Sequence, residues 1–242
     1  MKTQSYFSAT CRHFRFILFF AIAILDWVAV AKNLKRIEYF AKPAAMVLLL
    51  ILLLFLLVTM GLRSLPLFCF ALGIFFSLAG DVFLMLSYAR FSDRWFIPGL
   101  AAFLLAHVAY ITGLNIPLPQ VSPLWSVGIA LVLALTAARV LRRIISGILQ
   151  KGLKRMVVPV GLYGVVITLM LLAAFLTLYN PDWNLSAAGL VALGATLFYF
   201  SDIILAWNKF VKPIKNGRLV NMILYHLGQF ALVAGVVLQF GS

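Results

Sequence analysis

Residues 43–61, PAAMVLLLILLLFLLVTMG, hold no charged side chain over nineteen positions. About 20 apolar residues cross the hydrocarbon layer of a bilayer as a helix. The run is continuous, unlike the ten-residue alternation of a membrane barrel strand. Backbone N–H and C=O groups facing lipid must be satisfied within their own segment, so the run reads as a transmembrane helix. Its Phe and Leu side chains are ordinary lipid-facing or core filler. Similar runs lie at 14–31, 66–88, 95–115, 122–140, 156–179, 185–208 and 217–240. The expected fold is all-α: a polytopic membrane bundle of eight transmembrane helices, one integral-membrane domain over 1–242.

The whole chain agrees. Its 242 residues are 64% hydrophobic and 11% charged, with a mean hydropathy of +1.09. A soluble globular domain carries about 25% charged residues, and a disordered chain needs far more polar ones. Twenty Lys and Arg against six Asp and Glu give a net charge of +14. In a soluble protein that excess suggests nucleic acid; here it reads as loop charge that sets orientation and meets anionic lipid headgroups, with no nucleic acid partner. Sixteen basic residues fall on one side: Lys32, Lys35, Arg36, Lys42, Arg90, Arg94, Arg139, Arg142, Arg143, Lys151, Lys154, Arg155, Lys209, Lys212, Lys215 and Arg218. Four fall on the other: Lys2, Arg12, Arg15 and Arg63. The asymmetry predicts cytoplasmic basic loops with both termini on the opposite face, as in a bacterial inner membrane. The N-terminal segment resembles a signal peptide, but its apolar run ends in Asp26-Trp27 and a basic loop without a small-residue cleavage site, so it is kept as the first span. Cys11 and Cys69 lack metal-type spacing and read as structural.

Residues 71–84 (ALGIFFSLAGDVFL) and 192–205 (ALGATLFYFSDIIL) match at five of fourteen positions, including Asp81 and Asp202. The offset is 121 residues, half the chain. It points to two four-helix halves, 1–121 and 122–242, related in parallel. Chance similarity between apolar segments is the rival explanation.

The six acids are individually placeable. Glu38, Asp93 and Asp182 are expected in loops. Asp26 lies about one turn inside the cytoplasmic end of helix 1, where snorkelling or a nearby Lys satisfies it, and reads as structural. Asp81 and Asp202 are embedded in helices at matching depth. A carboxylate in hydrocarbon is costly unless paired, protonated or in a wet cavity. The two therefore mark a functional site, or else protonated side chains that hold helices together. Helix 4 carries His107 and Tyr110 one turn apart. Helix 8 carries Asn221, Tyr225 and Gln229 at i, i+4 and i+8, a polar stripe expected to face the bundle interior. His226 points about 100° away from Tyr225. No GxSxG elbow or HExxH pair is present. His13 lies near the N-terminus, so a three-histidine metal site inside the bundle is excluded; His107, His226 and an Asp remain a conceivable zinc set.

The strings SLAGDVFL (77–84), PGLAAFLLAHVAY (98–110), GATLFYFSDIILAWNKF (194–210) and YHLGQ (225–229) resemble, in order, the motifs of the YhhN-like lysoplasmalogenase family. The resemblance spans about residues 42–240, and the Lys42-Pro43 pair opening helix 2 is a less distinctive part of it. It implies a membrane hydrolase cleaving the vinyl ether of lysoplasmalogens to a fatty aldehyde and glycerophosphoethanolamine or glycerophosphocholine. It also implies Asp81 and Asp202 as the catalytic pair, with His107, Tyr110, Tyr225 and Gln229 around them.

The chemistry fits those residue types. A vinyl ether hydrolyses by protonation of the carbon β to oxygen, addition of water to the oxocarbenium ion, and collapse of the hemiacetal. One proton donor and one carboxylate suffice, as in glycoside hydrolysis. One of Asp81 and Asp202 is the acid and the other the base or charge stabiliser, with the assignment open. No metal or organic cofactor is required. Lys42 is the best single candidate to attract the lipid phosphate, with Asn221 also at the substrate. The expected partners are a lysophospholipid and the bilayer. The rival functions are a proton-coupled transporter, a zinc-dependent lipid hydrolase and a non-catalytic assembly protein.

Overall fold

The computed structural model describes residues 2–60, 63–89 and 93–241, with side chains from Ile17 onward apart from residues 88, 89 and 93. Expectations resting on the side chains of Lys2, Cys11, Arg12, His13, Arg15 and Arg90 lie outside the described residues. Among the described residues eight α-helices follow one another: α1 Lys2–Ala31, α2 Lys35–Thr59, α3 Leu65–Ala89, α4 Phe96–Leu114, α5 Pro123–Gln150, α6 Val157–Thr177, α7 Leu185–Ala206 and α8 Gly217–Phe240. Seven are long and apolar enough to cross a bilayer, and the apolar described part of α1 is Ile17–Ala31. The chain is a multipass membrane protein with the all-helical architecture that the apolar runs require.

Local chemistry sets several helix ends. Pro123 opens α5, where its missing N–H costs no hydrogen bond. The Asn184 side chain caps α7, accepting from the backbone N–H of Ser186 at 2.9 Å and of Ala187 at 3.3 Å. α7 runs on into a wider π-type turn, Trp207–Val211.

Two boundaries differ from expectation. α2 begins eight residues before Pro43 and contains it. Glu38 is therefore not in a loop: it lies on α2 and is buried, because Arg218 and Lys35 neutralise it there. α5 continues ten residues past 140. Arg139, Arg142 and Arg143 are thus helical and exposed, where the helix leaves the apolar layer without losing its hydrogen bonds.

The packing forms a ring. α1 packs on α2, α2 on α3, α3 on α4, α4 on α6, α6 on α7, α7 on α8, and α8 returns to α1, also touching α2 and α3. α5 stands outside the ring against α6 and the π-turn. Between Pro123 and Arg143 it buries no residue, so most of its surface is left to lipid.

The α7–α8 contact is the tightest. A Cβ at Gly194 would sit 2.6 Å from the Leu232 backbone N, and one at Gly228 2.9 Å from the Phe198 backbone N. Backbones approach this closely only where side chains are absent, the usual solution for helices packing in lipid. Gly228→Val should push α7 off α8 and lower stability by at least about 2 kcal/mol in thermal unfolding of the detergent-solubilised protein. Gly161→Ala, where an added Cβ meets nothing within 4 Å, should leave the transition unchanged or slightly raised.

Candidate active site

The ring brings α2, α3, α7 and α8 together around carboxyl groups. Lys42 on α2 places its Nζ 2.8 Å from Asp81 Oδ1 on α3. The Tyr225 hydroxyl on α8 donates to Asp81 Oδ2 at 2.7 Å. Both oxygens of this buried carboxylate thus hold donors, which is what a charge inside hydrocarbon demands. The Lys42 ammonium also lies 5.6 Å from the centre of the Tyr225 ring, within cation–π range.

Asp202 on α7 is held from the other side. The Tyr163 hydroxyl on α6 donates to Asp202 Oδ2. His107 Nε2 on α4 lies 2.9 Å from the same hydroxyl and 3.7 Å from Asp202 Oδ2. Both contacts with Asp202 address Oδ2. The Asn221 amide donates at 2.7 Å to the carbonyl of Ser201, fixing α8 against the turn that carries Asp202.

Two chambers meet at Asp202. A polar one of about 660 Å³, including its open mouth, is lined by Glu38, Lys42, Asp81, Asp202, Arg218 and Tyr225 among others. An apolar one of about 730 Å³ on the same measure lies between α3, α4, α5, α6 and α7, where Phe96, Leu100, Ile144 and Ile167 face it together with Tyr163 and Asp202. Leu84, Phe103, Asp202 and Leu205 line both. Asp81 and Asp202 are also close enough for their charges to act on one another.

The sequence candidates divide into two layers. Asp81, Asp202, Lys42, Asn221 and Tyr225 face the polar chamber. His107, Tyr110 and Gln229 line neither chamber and sit one layer behind it, fully buried. The Tyr110 hydroxyl donates to Gln229 Oε1 at 2.8 Å and lies 3.4 Å from Ser77 Oγ, tying α4 to α8 and α3. His226 turns to α1, accepting from Trp27 Nε1 at 3.0 Å. Asp26 does not snorkel: it is fully buried, and neither carboxylate oxygen has a hydrogen-bond partner among the described residues, although the charge of Lys42 acts on it. Among the described residues no three His, Cys, Asp or Glu side chains converge on a metal position.

Sequence reasoning missed Tyr163, Glu38 and the chamber role of Arg218. Tyr163 sits in an apolar helix with no polar stripe, and a lone Tyr there looks like core. Glu38 and Arg218 looked like loop charges; their separation of 180 residues hid the pair.

The family model described as "YhhN family" matches residues 37–236 of the chain. Lysoplasmalogenase TMEM86B of Homo sapiens is 33% identical over 138 residues, covering 57% of this chain and 52% of that protein. Lysoplasmalogenase TMEM86B of Rattus norvegicus is 32% identical over 137 residues, 57% of this chain and 50% of that protein. The Sus scrofa protein of the same name is 32% identical over 142 residues, 58% and 54% respectively. The chain spans about half the length of the curated relatives it matches. No solved structure matches it.

The ion pair at the centre of the site has a measurable signature. Lys42→Met strands a buried carboxylate and should lower stability by about 3–5 kcal/mol. Lys42→Met combined with Asp81→Leu should recover most of that loss, read by thermal unfolding in detergent.

Proposed function

The chain belongs to the YhhN family, and we propose that it is a lysoplasmalogenase-like hydrolase cleaving the vinyl ether of a lysophospholipid at Asp81 and Asp202. The observation that supports this reading is a polar and an apolar chamber that share Asp202 in their linings. In this reading a single-chain amphiphile lays its chain along the apolar chamber and its phosphate headgroup in the polar one. The bond between chain and headgroup then lies beside the two carboxyl groups.

The hydrogen bonds suggest a division of labour. Asp81 already holds Lys42 and Tyr225 on its two oxygens, which suits a carboxylate that stays fixed and negative. Asp202 is addressed by Tyr163 and His107 on Oδ2, which suits a carboxyl group that presents Oδ1 to the substrate. In this reading Asp202 gives its proton to the vinyl carbon β to oxygen, and Asp81 stabilises the oxocarbenium charge that develops. A water adds to the oxocarbenium carbon, the one bonded to oxygen, while the Asp202 carboxylate takes the water's proton. The hemiacetal then collapses, breaking the C–O bond to give an aldehyde and the glycerophospho-alcohol. One water is consumed and the proton returns to the acid. Arg218, at the open side of the polar chamber, is the cation for the phosphate in this reading, while Lys42 stays paired with Asp81. In this reading the mouth opens to the cytoplasm, with both termini opposite, which the basic loops support.

Aldehyde release from lysoplasmenylethanolamine by purified protein, with an ester lysophospholipid as control, tests the reaction. Cleavage of the vinyl ether alone supports the reading; lipid flux into liposomes without aldehyde would replace it with transport. Asp202→Asn should lower the rate by about 10²–10⁴-fold while unfolding normally; Asp81→Asn should lower it as much and also unfold more easily, because it strands the buried Lys42 ammonium. Tyr163→Phe should lower kcat by about tenfold with little change in KM, because it orients Asp202 rather than touching substrate.

A further inference from the structure

Glu38 and Arg218 form an ion pair of 2.5 Å between α2 and the first turn of α8. Both line the polar chamber with Lys42, Asp81 and Asp202. The two partners are unequal: the Glu38 side chain is 8% exposed and the Arg218 side chain 39%. Arg218 and Asn208 also line a surface hollow of about 1060 Å³ beside the chamber, so the guanidinium stands at the passage between solvent and site. Lys42 is committed deeper, at Asp81. A Glu–Arg pair held in a ligand chamber is the electrostatic mirror image of a zwitterion.

We infer that Glu38 and Arg218 are a headgroup-reading pair that selects zwitterionic phosphate–ammonium lipids, with Arg218 taking the phosphate and Glu38 the ammonium. The inference rests on the hydrolase reading above and names the residues that set its headgroup preference. When such a headgroup enters, one resident ion pair is exchanged for two ligand pairs, and no buried charge is left without a partner. A lipid ending in phosphate alone draws Arg218 away and leaves the buried Glu38 carboxylate with only the more exposed Lys35, 3.3 Å away, as its partner. Discrimination therefore arises from penalising the wrong ligand as well as from holding the right one.

Saturated 1-O-alkyl ether lysophospholipids, which lack the vinyl ether, serve as binding probes for the full chain in lipid nanodiscs. One carries phosphoethanolamine and the other phosphate alone. The unaltered protein should bind the first about tenfold more tightly. Glu38→Gln should erase the difference, weakening the first probe and strengthening the second. The exchange E38R/R218E keeps an ion pair between α2 and α8 with its polarity reversed, so it should unfold near the normal temperature yet lose the preference. Retention of the tenfold ratio in either variant overturns the inference. Aldehyde release by a protein that binds both probes equally also overturns it and leaves the hydrolase reading standing. A retained probe preference without any aldehyde release overturns the hydrolase reading alone.

Discussion

The Lys42–Asp81 ion pair is the constraint on which the centre of this bundle depends. A carboxylate inside hydrocarbon cannot be left to solvent, and its partner must arrive from another helix. That requirement fixes the rotation of α2 against α3, and the Tyr225 bond then fixes α8 against both. Three helices are registered by three side chains at one point. The inward turn of α2 extends the effect: Glu38, one helical turn before Lys42, meets Arg218 at the start of α8. The helix can therefore begin at Lys35 and still carry two charges into the ring.

The second carboxyl group is held by a different logic. Asp202 meets a hydroxyl and an imidazole instead of an ammonium, and it stands where the polar chamber gives way to the apolar one. The tight α7–α8 contact matters here, because the glycines that allow it bring Asp202 and Tyr225 to the same chamber. Asn221, bonded to the Ser201 carbonyl, holds that approach in register. The residues behind the chamber, His107, Tyr110 and Gln229, serve the geometry through other side chains. His107 also meets Asp202 itself, while Tyr110 and Gln229 act through the spacing of α3, α4 and α8.

Much of this was legible in the amino-acid sequence. The eight apolar runs define the eight helices, because a bilayer leaves the backbone few choices. Asp81 and Asp202 stand out for the same reason, being acids where acids are expensive. The stripe Asn221, Tyr225 and Gln229 faces inward, as a polar stripe in lipid must. What was not legible concerns partners far apart in the chain. Pro43 suggested a helix start, and the pairing of Glu38 with the distant Arg218, besides its neighbour Lys35, explains why a buried acid can sit on the turn before it. The basic residues at 139–143 read as a loop, because composition marks the edge of the apolar layer and not the end of a helix. Tyr163 carries no signal of its own, since a single hydroxyl in an apolar helix is defined by what faces it. The separation of His107, Tyr110 and Gln229 from the chamber wall likewise depends on side-chain layers that helical periodicity cannot rank.

The shared wall at Asp202 makes the cavity a gauge of position along a molecule. A guest must turn from oil-like to water-like at the level of that carboxyl group, since the space on one side rewards methylenes and the space on the other rewards charge. Sliding the guest by a few bonds would bury its phosphate among phenylalanines or wet its tail. On the proposed function, the frontier between these two solvents sets which bond lies beside the carboxyl groups.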